Sequence, residues 1–471
     1  MRFECESGRF LEPDIDPDRL AVVGADRSLS WRAFRDEVTR FVAEARALGA
    51  VADCPIILLG HKQASFLVAM AGCLALGAPY VPVDVSVPPQ RRRRIYDLAQ
   101  PYLEYDCASG CLRRLGSAPV TLDEKGVAYI IFTSGSTGDP KGVQIGRECV
   151  SELSRWIGES FGLPAKPVFF NLAPINFDLT VFESFGMLAL GATIVLNDAE
   201  TQRNGSALVR RARETKAQVW VSTPSSAFQR FVDPDFCAEA MPDMAVFLFC
   251  GEVLPPAVPR FLRRRFPKAR IINSYGPTEV TVINTQVEIT DDVLADHAVL
   301  PVGRSKPRAW LEIDPANGEI LAFGENVMRG YLNRPDLNAG KMLLRDGRRG
   351  FRTGDLGRLE PDGMLFCMGR LDDQIKLNGY RIELGEVDAA LSRLTGIAQA
   401  ATVVLRKPDG TAVRLVGCYV ASGEALGDWR AGLSEILPTY MVPSELVEIS
   451  LMPITSNGKV DRTALRERCQ G

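Results

Sequence analysis

Seven short apolar runs, at residues 55–59, 128–132, 167–172, 192–196, 218–222, 245–250 and 270–273, recur with helical stretches between them. This alternation constrains the fold more than any other feature, because strands that take turns with helices pack as layers of sheet and helix. The expected fold class is therefore α/β, with a large layered body. The intervening stretches 207–215 and 256–266 are amphipathic, which places Arg210, Arg211, Arg263, Arg264 and Arg265 on solvated faces.

Composition narrows the function classes. The 471 residues allow two to four domains, and 46% hydrophobic content is enough to bury a core in each. Disorder, collagen-like repeats and a disulfide miniprotein are excluded. With 55 basic against 58 acidic residues the formal charge is −3, so no global field gathers nucleic acid or an anionic membrane. The run Arg91–Arg94 follows Val87-Pro88-Pro89 and opens an apparent helix, so it reads as a solvated helix start rather than a nucleic-acid patch. Arginine outnumbers lysine 44 to 11, so a lysine inside a motif stands out.

Eleven cysteines without a CxxC pair, and only two histidines (His61 and His297), make a disulfide framework or a zinc site unexpected. The start MRFECESGRF has acids where a secretory signal needs a basic segment and an apolar run. The reading is a cytoplasmic protein with reduced thiols. Residues 66–83 form eighteen uncharged positions, long enough to raise the question of a membrane span. Pro79 and Pro82 interrupt them, so a core helix over 66–76 and a buried strand are expected, without membrane insertion.

After about residue 300 the pattern changes to short strands with Gly and Asp turns, as at 318–323 and 352–367, which suggests a β-rich subdomain. Beyond Gly369 it changes again: 382–394 reads as helix, 398–405 and 413–419 as strands, and 428–437 as helix. The charged stretch 370–373 marks a boundary, dividing a core over 1–371 from a small α+β domain over 372–471.

The sharpest chemical signal is YIIFTSGSTGDPKGV at 129–143, where a hydrophobic strand runs into hydroxyl and glycine residues and then Lys141. Bare glycines let backbone N–H groups approach phosphate oxygens, Thr133, Ser134, Ser136 and Thr137 supply hydroxyl donors, and Lys141 a charge. The segment reads as a phosphate cradle. It is not a GxxxxGK[ST] loop, because Gly142 follows Lys141.

From these residues the chain resembles the AMP-forming adenylation superfamily. The resemblance continues at Asn273-Ser274-Tyr275-Gly276-Pro277-Thr278-Glu279, Gly318-Glu319-Ile320 with Gly330-Tyr331, and Phe351-Arg352-Thr353-Gly354-Asp355, whose first place is more often tyrosine in the family. It closes with GRLDDQIKLNGYRIELGE at 369–386 and Asn457-Gly458-Lys459-Val460-Asp461-Arg462, so that six motifs span nearly the whole chain in order. The implied fold is a large α/β core with a mobile C-terminal lid.

The resemblance implies ATP and Mg²⁺ as cofactors. ATP would be held by Thr133, Ser134, Gly135, Ser136, Thr137, Gly138, Lys141, Asn273, Gly276 and Thr278. Tyr275 would stack on adenine, Asp355 accept from the ribose hydroxyls, and Arg370 add charge near ribose and phosphate. Glu279 is the implied magnesium ligand, a hard oxygen donor suited to that ion. Lys459 would stabilise the charge that develops as a carboxylate attacks the α-phosphorus. Thr133 and Lys376 are the other implied catalytic residues. Asp372 matches the hinge position, and Lys376, Leu377, Asn378 and Gly379 would line the path of a pantetheine thiol after the lid rotates.

Asn176-Phe177-Asp178-Leu179 matches the place where amino-acid-activating members hold an aspartate against the substrate ammonium, so an amino acid is the expected acid. Leu179, Phe182, Cys250, Ser274 and Val282 complete the implied pocket and suit a small side chain. Within the superfamily the chain is most similar to freestanding D-alanine–D-alanyl carrier protein ligases, through 220–225, 249–255 and 287–290; in those the cysteine matching Cys250 helps to set D-alanine preference. The arginine-rich composition fits less well with wall D-alanylation. A stand-alone loader of L-Ala, Gly or Ser, an acid–CoA ligase, and a silent binding homologue remain alternatives. Twelve residues follow Lys459, and no serine has a pantetheine-attachment context, so the expected partner is a phosphopantetheine carrier protein acting in trans. His61 and His297 read as structural.

Overall fold

The computed structural model describes all residues except 1–3, 6–7, 10–14, 136–138, 408–411, 455–459 and 471, and the side chains of 1–14 and 470 are also not described. The chain divides into two compact units, one of Met1–Val85, Ala99–Ile131 and Gly142–Gly369, the other of Ser86–Leu98, Phe132–Lys141 and Arg370–Gly471.

In the first unit, a nine-stranded sheet carries Leu20–Val23, Val168–Asn171, Thr193–Leu196, Val219–Ser222, Val246–Phe249 and Arg270–Tyr275 in parallel at its centre, with antiparallel edges. Thr193–Leu196, Val219–Ser222 and Val246–Phe249 are buried at every residue and match apolar runs of the sequence, as strands covered on both faces of a parallel sheet do. Strands Ile56–Gly60, Tyr80–Asp84 and Leu103–Asp106 lie parallel in a seven-stranded sheet that also contains Val127–Thr133. The β-rich segment forms a five-stranded antiparallel sheet, in which Arg348–Leu359 is one long strand.

Helix Trp31–Ala47 shows why such segments fold as they do. The Ser30 side chain caps its N-terminus, accepting from Ala33 N–H, and Trp31, Phe34, Val38, Phe41, Val42 and Ala45 form the buried stripe. Helix Ala64–Leu76 is buried on nearly every side and ends at Gly77, whose φ of +76° makes it a left-handed cap. Among the described residues, no helix is long and apolar enough to cross a membrane.

The second unit packs helix Leu384–Leu391 beside the sheet Ile397–Arg406, Ala412–Ala421 and Glu445–Glu448, with the hairpin Gln374–Leu377/Tyr380–Glu383. Here the expected helix over 382–394 is corrected: Ile382 and Glu383 belong to a strand, because an Asn378-Gly379 turn pairs them back to Gln374 and Ile375. Arg91 is also corrected. It lies on the same stripe of helix Pro89–Ala99 as buried Ile95 and Ala99 and pairs with buried Glu386. Nor is Arg211 solvated on its outer face: its guanidinium donates to the carbonyls of Val23, Gly24 and Leu196 and to Asn197.

Candidate active site

In the first unit the site residues collect at the carboxyl ends of parallel strands, where open α/β sheets leave a crevice for ligands. Strand Val168–Asn171 leads through a short loop to helix Asp178–Leu190, strand Val246–Phe249 ends before Cys250, and strand Arg270–Tyr275 carries Asn273, Ser274 and Tyr275. The register opposes Phe249 to Asn273, which makes Cys250 and Ser274 neighbours.

Asp178 occupies the first turn of its helix, where the positive end of the helix dipole favours a carboxylate. Its Oδ2 accepts from Thr278 Oγ1 at 2.7 Å, which ties Asp178 to the 275–279 segment. Tyr275 donates its hydroxyl to Asp355 Oδ2 at 2.6 Å, and burial pushes that phenol well above its ordinary pKa, with the Asp355 charge adding to the effect. Asp355 and Tyr275 are thus one unit. Glu279, fully buried in the single turn Thr278–Val280, accepts from the Tyr331 hydroxyl at 2.6 Å.

Gly276 can have no side chain, since a Cβ there would meet Ile283 Cα at 2.7 Å and Val282 O at 2.8 Å. The returning segment is strained: Thr281 and Val282 are β-branched yet have φ of +60° and +70°. Asn326 holds it, accepting from Thr281 Oγ1 at 2.7 Å and donating to Val280 O at 3.1 Å, and Lys306 Nζ donates to Ile283 O at 3.1 Å. The Cys250 thiol lies 3.9 Å from Val282 O, which brings two of the expected pocket residues together. Leu179 is buried beside Asp178, while Phe182 packs edge-on against Phe161 and Phe169 at 5.2 and 6.3 Å. Among the described residues Ser274 Oγ is buried without a hydrogen-bond partner, as is Asn273 Oδ1, whose amide nitrogen donates to Pro301 O at 2.7 Å.

In the second unit, the phosphate-cradle residues hold carboxylates. Lys141 Nζ pairs with Glu383 at 3.1 Å, Gly135 N–H donates to Glu386 at 3.2 Å, and Ser134 Oγ donates to the Arg381 carbonyl at 2.9 Å. Thr133 Oγ1 is buried with no hydrogen-bond partner among the described residues. Glu386 sits against Arg91, and burial pushes its pKa up while Arg91 pulls it back. Within this unit Lys141 and Gly135 thus hold carboxylate oxygens. Arg370 forms a two-pronged pair with Asp372 at 2.6 and 2.8 Å. Lys376 stands opposite Arg381 across the hairpin, two cations on one face. Ser136, Thr137, Gly138 and Lys459 lie outside the described residues.

In the first unit His61 pairs with Asp84 at 2.7 Å and His297 lies against the Phe366 ring at 5.2 Å. Sequence reasoning named Tyr331 within a motif but gave it no role, and missed Asn326, Lys306 and the buried Lys62, Asn171 and Glu183. For the lysines the scarcity of that residue was the available signal. For the asparagines there was none.

The family profile described as AMP-binding enzyme matches residues 13–103 and 102–332. The chain belongs to the AMP-binding enzyme family. Among its relatives in this family is the D-alanine--D-alanyl carrier protein ligase of Bacillus licheniformis, 34% identical, with 96% of each chain covered. Two solved structures share the adenylation-domain fold. The amide bond synthetase McbA from Marinactinospora thermotolerans aligns at 22% identity with a TM-score of 0.83, covering 96% of this chain and 97% of that one. Holo-PA1221, an NRPS protein containing adenylation and PCP domains, aligns at 26% identity with a TM-score of 0.79, covering 96% and 82%. The α/β fold class expected from the apolar runs is the fold of this family.

Proposed function

We propose that this AMP-binding enzyme joins a small amino acid, D-alanine first among the candidates, to AMP at the expense of ATP, and passes it to the phosphopantetheine thiol of a separate carrier protein. The observation that carries this reading is the 2.7 Å bond from Thr278 to Asp178. It sets a carboxylate suited to an α-ammonium one residue from Glu279, inside the nucleotide motif. A substrate held by its amino group at Asp178 presents its own carboxylate toward that motif, and a fatty acid would offer the Asp178 carboxylate no cation. The ligase of Bacillus licheniformis supports the choice of acid and carrier.

In the first half-reaction a substrate carboxylate oxygen attacks the α-phosphorus, the bond to pyrophosphate breaks, and Lys459 offsets the charge that develops. The orphaned Thr133 hydroxyl and the anion-holding Gly135 and Lys141 are a donor set that fits phosphate oxygens. Tyr275 and Asp355 take adenine and ribose. Glu279, a hard oxygen donor, is the residue that would hold Mg²⁺, which would supply charge neutralisation for the triphosphate. In the second half-reaction the thiol sulfur attacks the acyl carbonyl and AMP leaves with the bonding electrons. Residues 372–471 serve as the mobile lid, with Asp372 as hinge and Lys376 on the thiol path. The reaction takes place in the cytoplasm, with no nucleic acid or membrane involved.

The test is amino-acid-dependent ATP–pyrophosphate exchange with D-Ala, L-Ala, Gly, D-Ser and L-Ser, with acetate and propionate as controls. Strong preference for D-Ala supports the reading in full. Preference for L-Ala, Gly or Ser keeps the reaction and replaces the substrate, and exchange with the simple acids alone overturns the role of Asp178.

A further inference from the structure

Lys62 is the one charged residue in the turn after strand Ile56–Gly60, and it is 1% exposed. Its ammonium donates to Asn171 Oδ1 and to the Ala173 carbonyl. Asn171, fully buried at the end of its strand, donates in turn to Glu183 Oε2 and to Thr180 Oγ1, the latter at 3.1 Å. Glu183 is also fully buried, and its Oε1 has no hydrogen-bond partner among the described residues. Burial pushes Lys62 down and Glu183 up from their ordinary values, and the attraction between the two charges opposes both shifts.

A buried pair of this kind is not explained by stability, because apolar side chains of similar volume do as well or better. Its placement supplies the explanation. The loop from Ala173 to Phe177 delivers the chain to the helix that begins with Asp178, and Phe177 at the N-cap offers no side-chain acceptor. The usual device for fixing a helix start is missing. Tethers on the loop take its place: the Ala173 carbonyl is held by Lys62 and, at 2.9 Å, by Thr180 Oγ1, which also reaches Pro174 O at 2.9 Å. Phe177 N–H closes the loop onto Pro174 O at 3.1 Å.

We infer that the buried chain Lys62–Asn171–Glu183 is a positioning device for Asp178: by pinning the loop before the helix it aims that carboxylate, and so sets the affinity for the amino group of the substrate. Neither Lys62 nor Glu183 touches substrate. The inference rests on the reading of Asp178 given above.

The experiment measures pyrophosphate exchange with the amino acid of lowest KM in the wild-type protein, varying amino acid and ATP separately, for Lys62→Met and for Thr180→Val. The expected result is a rise of about tenfold in amino-acid KM for Lys62→Met, a smaller rise for Thr180→Val, and an ATP KM within about twofold of wild type. Should Lys62→Met fail to fold, the double variant Lys62→Met/Glu183→Gln, which removes both charges, carries the same expectation. An unchanged amino-acid KM in a folded variant, or equal rises in both KM values, overturns the inference. Failure of the functional reading itself would show differently, as a wild-type protein that exchanges with no amino acid.

Discussion

Asp178 stands where a helix dipole and a threonine hydroxyl both favour a carboxylate, and a substrate ammonium would complete the set. Removing the charge while keeping the shape isolates that pairing. Asp178→Asn should raise the amino-acid KM by about two orders of magnitude, because breaking a buried charge pair costs about 2–5 kcal/mol, and should leave the ATP KM nearly unchanged; comparable losses for both substrates would argue against an ammonium site. Lys306 permits a prediction about pH. Burial pushes its pKa down to about 8 from an ordinary value near 10.5. Between those values the unfolded chain binds more protons than the folded one, so the contribution of Lys306 to stability rises with pH and is lost as pH falls through 8. Urea unfolding of wild type and Lys306→Met at pH 7.5 and 10 should show the wild type gaining on the variant at the higher pH; a constant gap would contradict the shift. Single side chains were the least legible scale. A run of four arginines does not announce that Arg91 turns inward, although its spacing from Ile95 and Ala99 by four residues each was visible. Arg211 had no such marker, because its partners are main-chain carbonyls.

Elements were more legible, since short strands and amphipathic helices carry their period in the sequence. The apolar runs at 218–222 and 245–250 became Val219–Ser222 and Val246–Phe249, shortened only at their ends. The error at 382–394 has a local cause. Asn378-Gly379 is a strong hairpin signal, and the structure gives these residues φ of +52° and +82°, the left-handed pair that a tight two-residue turn requires. Ile375 and Ile382 then face each other, and the helix can begin only at Leu384. A β-branched side chain at the second turn position costs about 1–2 kcal/mol in that conformation. Gly379→Val should therefore loosen the hairpin that carries Lys376 and slow transfer to a phosphopantetheine thiol by about tenfold. Pyrophosphate exchange should stay within about twofold of wild type. Equal slowing of both half-reactions would separate Gly379 from the thiol path.

For the whole molecule, two half-reactions demand two arrangements of charge around one substrate, and the second unit shows the conflict in its own contacts. Lys141 and Gly135, which the motif assigns to phosphate, are engaged by Glu383 and Glu386 from the segment that carries Lys376. Phosphate oxygens bound at this motif would compete with these carboxylates for the same donors. No pattern in the sequence announced that residues 132–141 group with 370–471, because such grouping depends on contacts between segments far apart in the chain. Lys459→Ala should abolish adenylate formation, read as pyrophosphate exchange, while thiol transfer from a supplied aminoacyl-adenylate persists through the 376–379 hairpin. The thermal unfolding midpoint should remain close to wild type if Lys459 serves chemistry rather than packing. Exchange that survived the substitution would remove Lys459 from the first half-reaction, and loss of both half-reactions in a folded protein would mean that one lysine serves both.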